Sequence, residues 1–215
     1  MGFDVYGTAF DADYEADSKL FDEVGVEEYC RTPVEKRPWR SDLPGRYFQT
    51  SNWGWRAMAD YICDTFPEIA SHCTHWHSND GDGLNAVQAV RLADALDRVI
   101  EDGTLADHIE MRRARIRNMP LRECFLCHGS GIRDDEIGRE VKEFRPVPQP
   151  LMVIPEDAKD AWGDGPHPRA GQTGWCNGCD GRGHNLPHDA DYPLTVSETK
   201  RFSEFCRHSG GFEIS

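Results

Sequence analysis

The chain has 215 residues, a formal net charge of −14 and only 38% hydrophobic residues. That length buries one core, or one core with a small metal-held module attached, and the longest purely aliphatic run, Leu151-Met-Val-Ile154, is far short of a membrane span. The acidic excess argues against a general affinity for nucleic acid, which needs surplus Lys and Arg to displace counterions.

The opening Met1-Gly-Phe-Asp-Val-Tyr-Gly7 leads into the acidic stretch Asp11 to Asp17 with neither a basic region nor a long apolar run. A secretory signal is therefore not expected, and the cytoplasm is the expected compartment. Within that opening, Phe3 to Tyr6 alternates apolar and polar residues and predicts a short strand. Gly211-Phe-Glu-Ile-Ser215 repeats the same chemistry, so the two segments are predicted to pair in, or share, one small sheet. Residues 8–46 are acidic, broken by Pro33, Pro38 and Pro44, and read as an irregular insertion.

From Ser51 the spacing turns helical, with Trp55, Met58, Ala59, Ile62, Cys63 and Phe66 on one stripe and Pro67 ending it. Asn85 and Gln88 form a capping-box pair that opens a helix buried through Ala89, Leu92, Ala93, Leu96, Val99 and Ile100, and Gly103 stops it. Thr104 starts a third helical segment, which ends by Pro120. Residues 133–175 are charged and rich in Pro and Gly, with only Leu151 to Ile154 resembling a strand. A last helix starts near Thr195, where Glu198 completes a second capping box; Phe202, Phe205 and Cys206 face inward, and Gly210 with Gly211 closes it.

Three places hold chemistry-bearing residues. The strongest is the pair Cys124-Phe-Leu-Cys127-His-Gly-Ser-Gly131 and Cys176-Asn-Gly-Cys179-Asp-Gly-Arg-Gly183. Both read CxxCxGxG, and together they supply the four thiolates of a closed tetrahedral zinc site, with glycines to reverse the chain tightly behind each sulfur pair. A redox CxxC should open a helix, which the following glycines would unmake. Cys124, Cys127, Cys176 and Cys179 are thus the predicted ligands of one structural Zn2+. Trp175, next to Cys176, is expected to pack over the site.

The second place is His72 to Gly83. On a strand, His75 and His77 would face one side and with Asp80 could hold a catalytic metal. The segment departs from the hydrolase arrangement HxHxDH, because Asp80 falls one position late and no histidine follows it. The competing and favoured reading is a loop in which Asn79, Asp80 and Asp82 accept backbone hydrogen bonds while Gly81 and Gly83 supply positive φ. The third place is the run Arg112, Arg113, Arg115, Arg117 and Arg122, read either as a phosphate-binding face or, preferentially, as arginines paired with the abundant carboxylates.

The fold class these elements predict is α+β: a single domain over 1–215 with a predominantly helical core, a small terminal sheet, and a four-cysteine zinc-knuckle module inserted at 120–186. Residues 195–215 form the closing helix and strand.

The knuckles resemble those of the DnaJ-type chaperone zinc region, built from repeated CxxCxGxG units. The likeness covers Cys124 to Gly131 and Cys176 to Gly183 and implies the same four ligands. The chain lacks the four tandem repeats and the His-Pro-Asp tripeptide of that family, so chaperone function does not carry over. Taken whole, the chain is similar to a group of small bacterial and phage proteins. That likeness rests on the MetGlyPheAspValTyrGly start, the Trp-rich Asn52-Trp-Gly-Trp-Arg56, the turn Asn79-Asp-Gly81, the paired knuckles and the Gly-Gly-Phe-Glu-Ile end. It implies no activity.

The function expected is that of a zinc-stabilised, non-enzymatic regulator that binds another protein. The alternatives are a metal-dependent hydrolase using His75, His77 and Asp80, and a nucleic-acid binder using Arg112 to Arg122.

Overall fold

The computed structural model describes residues 2–140 and 147–215. Met1 of the opening motif and residues 141–146 of the expected long loop lie outside the described residues. In chain order the elements are β1 (Gly2–Gly7), α1 (Asp11–Arg31), β2 (Tyr47–Ser51), α2 (Asn52–Thr65), α3 (Pro67–Ala70), β3 (Asp82–Asn85), α4 (Ala86–Glu101), α5 (Thr104–Arg117), β4 (Arg122–Glu123), α6 (Glu136–Arg139), β5 (His184–Asn185), α7 (Val196–His208) and β6 (Gly211–Ile214). The class is α+β, with small antiparallel sheets beside the helices. Where the sequence reading takes 1–215 as one domain carrying a module at 120–186, packing divides the chain into two compact units, Met1–Arg112 with Tyr192–Ser215, and Arg113–Asp191.

In the first unit four strands form an antiparallel sheet in the order β2-β1-β6-β3. The first and last strands do pair, with Val5 opposite Ile214 and Gly7 opposite Phe212. Alternation along β1 buries Phe3, Val5 and Gly7 and turns Asp4 and Tyr6 to the other face. The buried face meets Trp55, Met58 and Ile62 of α2, Leu92 and Leu96 of α4, and Phe202 of α7 in one apolar cluster. Each such side chain contributes about 1.5–3 kcal/mol by leaving water. The buried indole N–H of Trp55 donates to the Trp76 carbonyl at 2.6 Å, so this aromatic core carries no orphan donor there.

The helix starts follow from their caps. Ser51 Oγ accepts from the Gly54 N–H at 3.1 Å, and Asn85 and Gln88 close a full capping box. At Thr195 only half the expected box forms: its hydroxyl accepts from the Glu198 N–H, while the Glu198 carboxylate takes Arg201 at 2.8 Å. Helix α7 is tied to α4 by Arg207, which bonds Asp94 at 2.8 Å and Asp97 at 2.7 Å.

Three expectations need correction. Residues 8–46 are not irregular, because they contain α1, which bends at Gly25 (φ 77°, ψ 163°). Only Asp17 of that helix is buried, so no apolar stripe announces it. Gly83 does not supply positive φ; it lies in β3, where a Cβ would sit 1.7 Å from the Phe212 carbonyl oxygen of β6. The strand expected at Leu151 to Ile154 shrinks to a single bridge, Val153 opposite Thr173.

The second unit has little regular structure: the end of α5, α6, 3-10 turns at Gln149–Leu151 and His188–Asp191, and two-residue strands in which Arg122 faces Asn185 and Glu123 faces His184. Its buried apolar cluster among the described residues is Cys124, Cys127, Cys176 and Cys179, with Leu126 packed against them. Sulfur stands where a hydrophobic core would.

Candidate metal centre

Each knuckle turns through the left-handed region at the same three places. These are His128 (φ 48°), Gly129 (78°) and Gly131 (73°) in the first, and Asp180 (49°), Gly181 (81°) and Gly183 (82°) in the second. The turns aim backbone N–H groups at sulfur: Gly131 donates to Cys127 Sγ and Gly183 to Cys179 Sγ, both at 3.2 Å. Such donors place positive partial charge against sulfur.

The knuckles face each other. Cys124 Sγ lies 3.9 Å from Cys176 Sγ and Cys127 Sγ lies 3.7 Å from Cys179 Sγ. All four sulfurs are buried and lie within 4.8 Å of one another. These separations are far beyond the ~2.05 Å of a disulfide, so the thiols are free. The chain entering the first knuckle is bonded to the chain leaving the second, through Cys124 N–H to the Gly183 carbonyl at 2.9 Å. The chain leaving the first is bonded to the chain entering the second, through Arg133 N–H to the Trp175 carbonyl at 3.0 Å.

Burial pushes the Cys176 thiol up to about 11 and raises Cys179 further. At Cys124 burial acts the same way, but the N–H groups of Leu126 and Cys127 together with the Cys127 and Cys179 thiols outweigh it and leave that thiol lowered. Four thiolates cannot share one dry pocket without a compensating cation, and a metal ion in their midst supplies the charge. The arrangement can therefore hold a metal ion, and among the described residues no other group of three or more His, Cys, Asp or Glu side chains is placed to do so.

Residues of the long stretch between the knuckles brace the centre, and the sequence reading did not single them out. One nitrogen of the Arg169 guanidinium donates to the carbonyls of Gly131 at 2.9 Å and Gly181 at 3.2 Å, spanning both knuckles, while its other terminal nitrogen reaches the Thr173 carbonyl at 3.0 Å. His167 Nδ1 accepts from the Arg169 N–H at 3.0 Å, so Nε2 carries the proton and donates to the Asp180 carbonyl at 2.9 Å. Gln149, fully buried, accepts from the Asn177 N–H at 2.9 Å. No motif marks these three residues. Trp175 is half-buried, with its ring edge and Ile154 against Gly181. His128 and His184 are exposed and stand outside the sulfur set.

His75, His77 and Asp80 do not converge. His75 Nδ1 is 3.7 Å from Asp80, whereas His77 Nε2 turns to Asp60 of α2 at 3.3 Å. What organises this segment is Asp82, whose carboxylate accepts from the N–H groups of Thr74 and His75 as well as its own neighbour Gly83. Asp80 accepts from Ser78 Oγ at 2.6 Å, and Gly81 has φ 73°. The arginine run is engaged with protein groups. Arg115 bonds Asp189 at 3.2 Å and Arg117 bonds Asp164 at 2.7 Å. Arg122 bonds the Leu186 carbonyl at 2.6 Å and lies 3.5 Å from Asp191, and Arg112 and Arg113 also have partners.

No family model, no curated protein and no solved structure matches this chain. Among the described residues no helix is long and apolar enough to cross a membrane.

Proposed function

We propose that the chain is a zinc-stabilised, non-enzymatic binding protein that engages another protein, with one structural Zn2+ held by Cys124, Cys127, Cys176 and Cys179. The observation that carries the reading is the closed, buried set of four sulfurs. A tetrahedron with zinc–sulfur bonds of about 2.3 Å has edges of about 3.8 Å; two of the six sulfur–sulfur edges, at 3.7 and 3.9 Å, bracket that length, and all six lie within 4.8 Å. Four protein thiolates fill every coordination position and leave none for water or substrate, which is the pattern of a structural site. The likeness to the DnaJ-type knuckle supports the same ligand set.

Partner binding draws its support from Phe125. It sits between two buried ligands yet is 76% exposed, so the knuckle presents a large ring to solvent. Aromatic residues, Phe among them, are enriched at the cores of protein interfaces.

The test joins two measurements. Native mass spectrometry of the purified chain should give one zinc per chain, lost in Cys176→Ser. Affinity capture from the host should retain a protein on the wild type that Phe125→Ser, still loaded with zinc, releases. A zinc-free folded chain, or identical captures from both forms, would overturn the corresponding half.

A further inference from the structure

The first unit carries a second site-like feature, independent of the sulfur centre. On the sheet face opposite the apolar core is a cavity of about 350 Å3 lined by Tyr6, Phe10, Asp11, Tyr14, Trp39 and Glu213, with Gly7 and Ser215 completing it. That size lies within the ordinary range of small-ligand sites, about 300–1,000 Å3. Its walls are positioned by local geometry. Tyr6 and Glu213 are direct partners across β1 and β6, so their side chains stand on one face of the sheet. Asp11 and Tyr14, three apart, share a face in the first turn of α1, and Phe10 is the residue that leads into that helix. Trp39 comes from the chain beyond that helix.

The aromatic walls meet at steep angles. Tyr14 and Trp39 are perpendicular, at 89° with centroids 5.7 Å apart, and Tyr6 lies 6.0 Å from Tyr14 at 64° and 6.3 Å from Trp39 at 42°. Four rings and two carboxylates line the space, and no Lys, Arg or His does. Two of the rings already take a cation from outside the cavity: the Arg46 guanidinium, fastened to Asp13 at 2.7 Å, lies 4.8 Å from the Phe10 centroid and 5.7 Å from that of Trp39.

The geometry points to a cage for a methylated ammonium group. Such a group spreads its charge over methyls, has few or no N–H donors to satisfy and is attracted by ring faces, so converging aromatics with carboxylates at the edge favour it over a strongly hydrated bare ammonium. The head group can come from a free choline-type molecule or from a trimethylated lysine side chain.

Calorimetry on the full chain distinguishes these cases. Choline and a short peptide bearing trimethyl-lysine are titrated beside two controls, the same peptide unmethylated and 3,3-dimethylbutanol, the uncharged carbon analogue of choline. At least one methylated ammonium should bind saturably and about tenfold or more tighter than its control, and the tighter of the two names the source. Tyr14→Ala, at a half-exposed ring, should weaken binding about tenfold, and Asp11→Asn should weaken it several-fold. Equal binding of the neutral alcohol or of unmethylated lysine, or no saturable binding of either cation to the wild-type chain, overturns the assignment, and neither result depends on how the variants fold.

Discussion

Gly131 and Gly183 are reciprocal: a Cβ on Gly131 would lie 2.3 Å from the Gly181 carbonyl oxygen of the other knuckle, and a Cβ on Gly183 would lie 2.3 Å from the Gly129 carbonyl oxygen. Both glycines also have positive φ and both donate to a ligand sulfur. The last glycine of each CxxCxGxG unit is therefore fixed by the opposite unit, which explains why the pattern occurs twice. Alanine at either position carries the left-handed penalty of about 1–2 kcal/mol and a backbone collision in addition, so each variant is expected to lose about 2–4 kcal/mol of stability. Gly129→Ala is the control: its φ is 78° but its nearest neighbour is the flexible Glu123 side chain at 3.5 Å, so it should lose only the first part. Denaturant unfolding of the metal-loaded variants checks the ranking.

Removal of the proposed metal should divide the molecule's stability along its two units. The apolar cluster built on Trp55, Phe202 and Phe212 lies entirely within Met1–Arg112 and Tyr192–Ser215, whereas the four cysteines with Leu126 are the buried cluster of Arg113–Asp191. A structural zinc of the kind proposed supplies about 10–16 kcal/mol to small zinc-held domains. Excess chelator, or Cys124→Ser, is expected to abolish hydrogen-exchange protection across 113–191 while the amides of α2, α4 and α7 stay protected. Uniform loss across both units would show that the sulfur centre supports the whole chain.

Arg169 should govern how fast metal leaves. Its guanidinium reaches Gly131, Gly181 and Thr173 carbonyls at once, a fork that the single ammonium of lysine cannot reproduce. Groups that orient metal ligands typically change metal affinity about 10–100-fold when replaced. Arg169→Lys is therefore expected to release metal to a colorimetric chelator about tenfold faster than the wild type, and Arg169→Ala faster still, with the cysteines intact. Unchanged release would reduce Arg169 to a loop fastener.

Much of this arrangement was legible where one local rule dominates. The capping box at Asn85 and the apolar stripes of α2 and α4 mark their helices, because cap chemistry and periodicity are properties of neighbouring residues. The four cysteines and their glycines are equally local. Helix α1 was hidden because nearly all of it faces solvent and its few contacts, such as Asp17 with the Tyr29 hydroxyl at 2.5 Å, leave no periodic trace. Gly83 was misread because the need for glycine arises from Phe212, on a strand at the other end of the sequence. Arg169, His167 and Gln149 were invisible for the same reason: each acts on backbone groups brought close only by the folded loop.

Asp82 gives the segment around His75 a pH dependence that belongs to structure. Burial works to raise its carboxyl, but the N–H groups of Thr74, Gly83 and His75, together with the charge of the nearby His75 ring, outweigh burial and hold it below the ordinary 3.8. A carboxylate whose folded value is depressed stabilises the fold fully above its unfolded value and loses that contribution as pH falls through the lowered one. Asp82→Asn keeps one acceptor oxygen but loses the charge, so at neutral pH it should be about 1–2 kcal/mol less stable than the wild type. The gap should stay constant from neutrality down to about pH 5 and close only below the ordinary carboxylate value, as the wild-type group takes up its proton. Paired unfolding curves across that range check the sign. A gap that already closes between neutrality and pH 5 would show that Asp82 does not set the acid sensitivity of this turn.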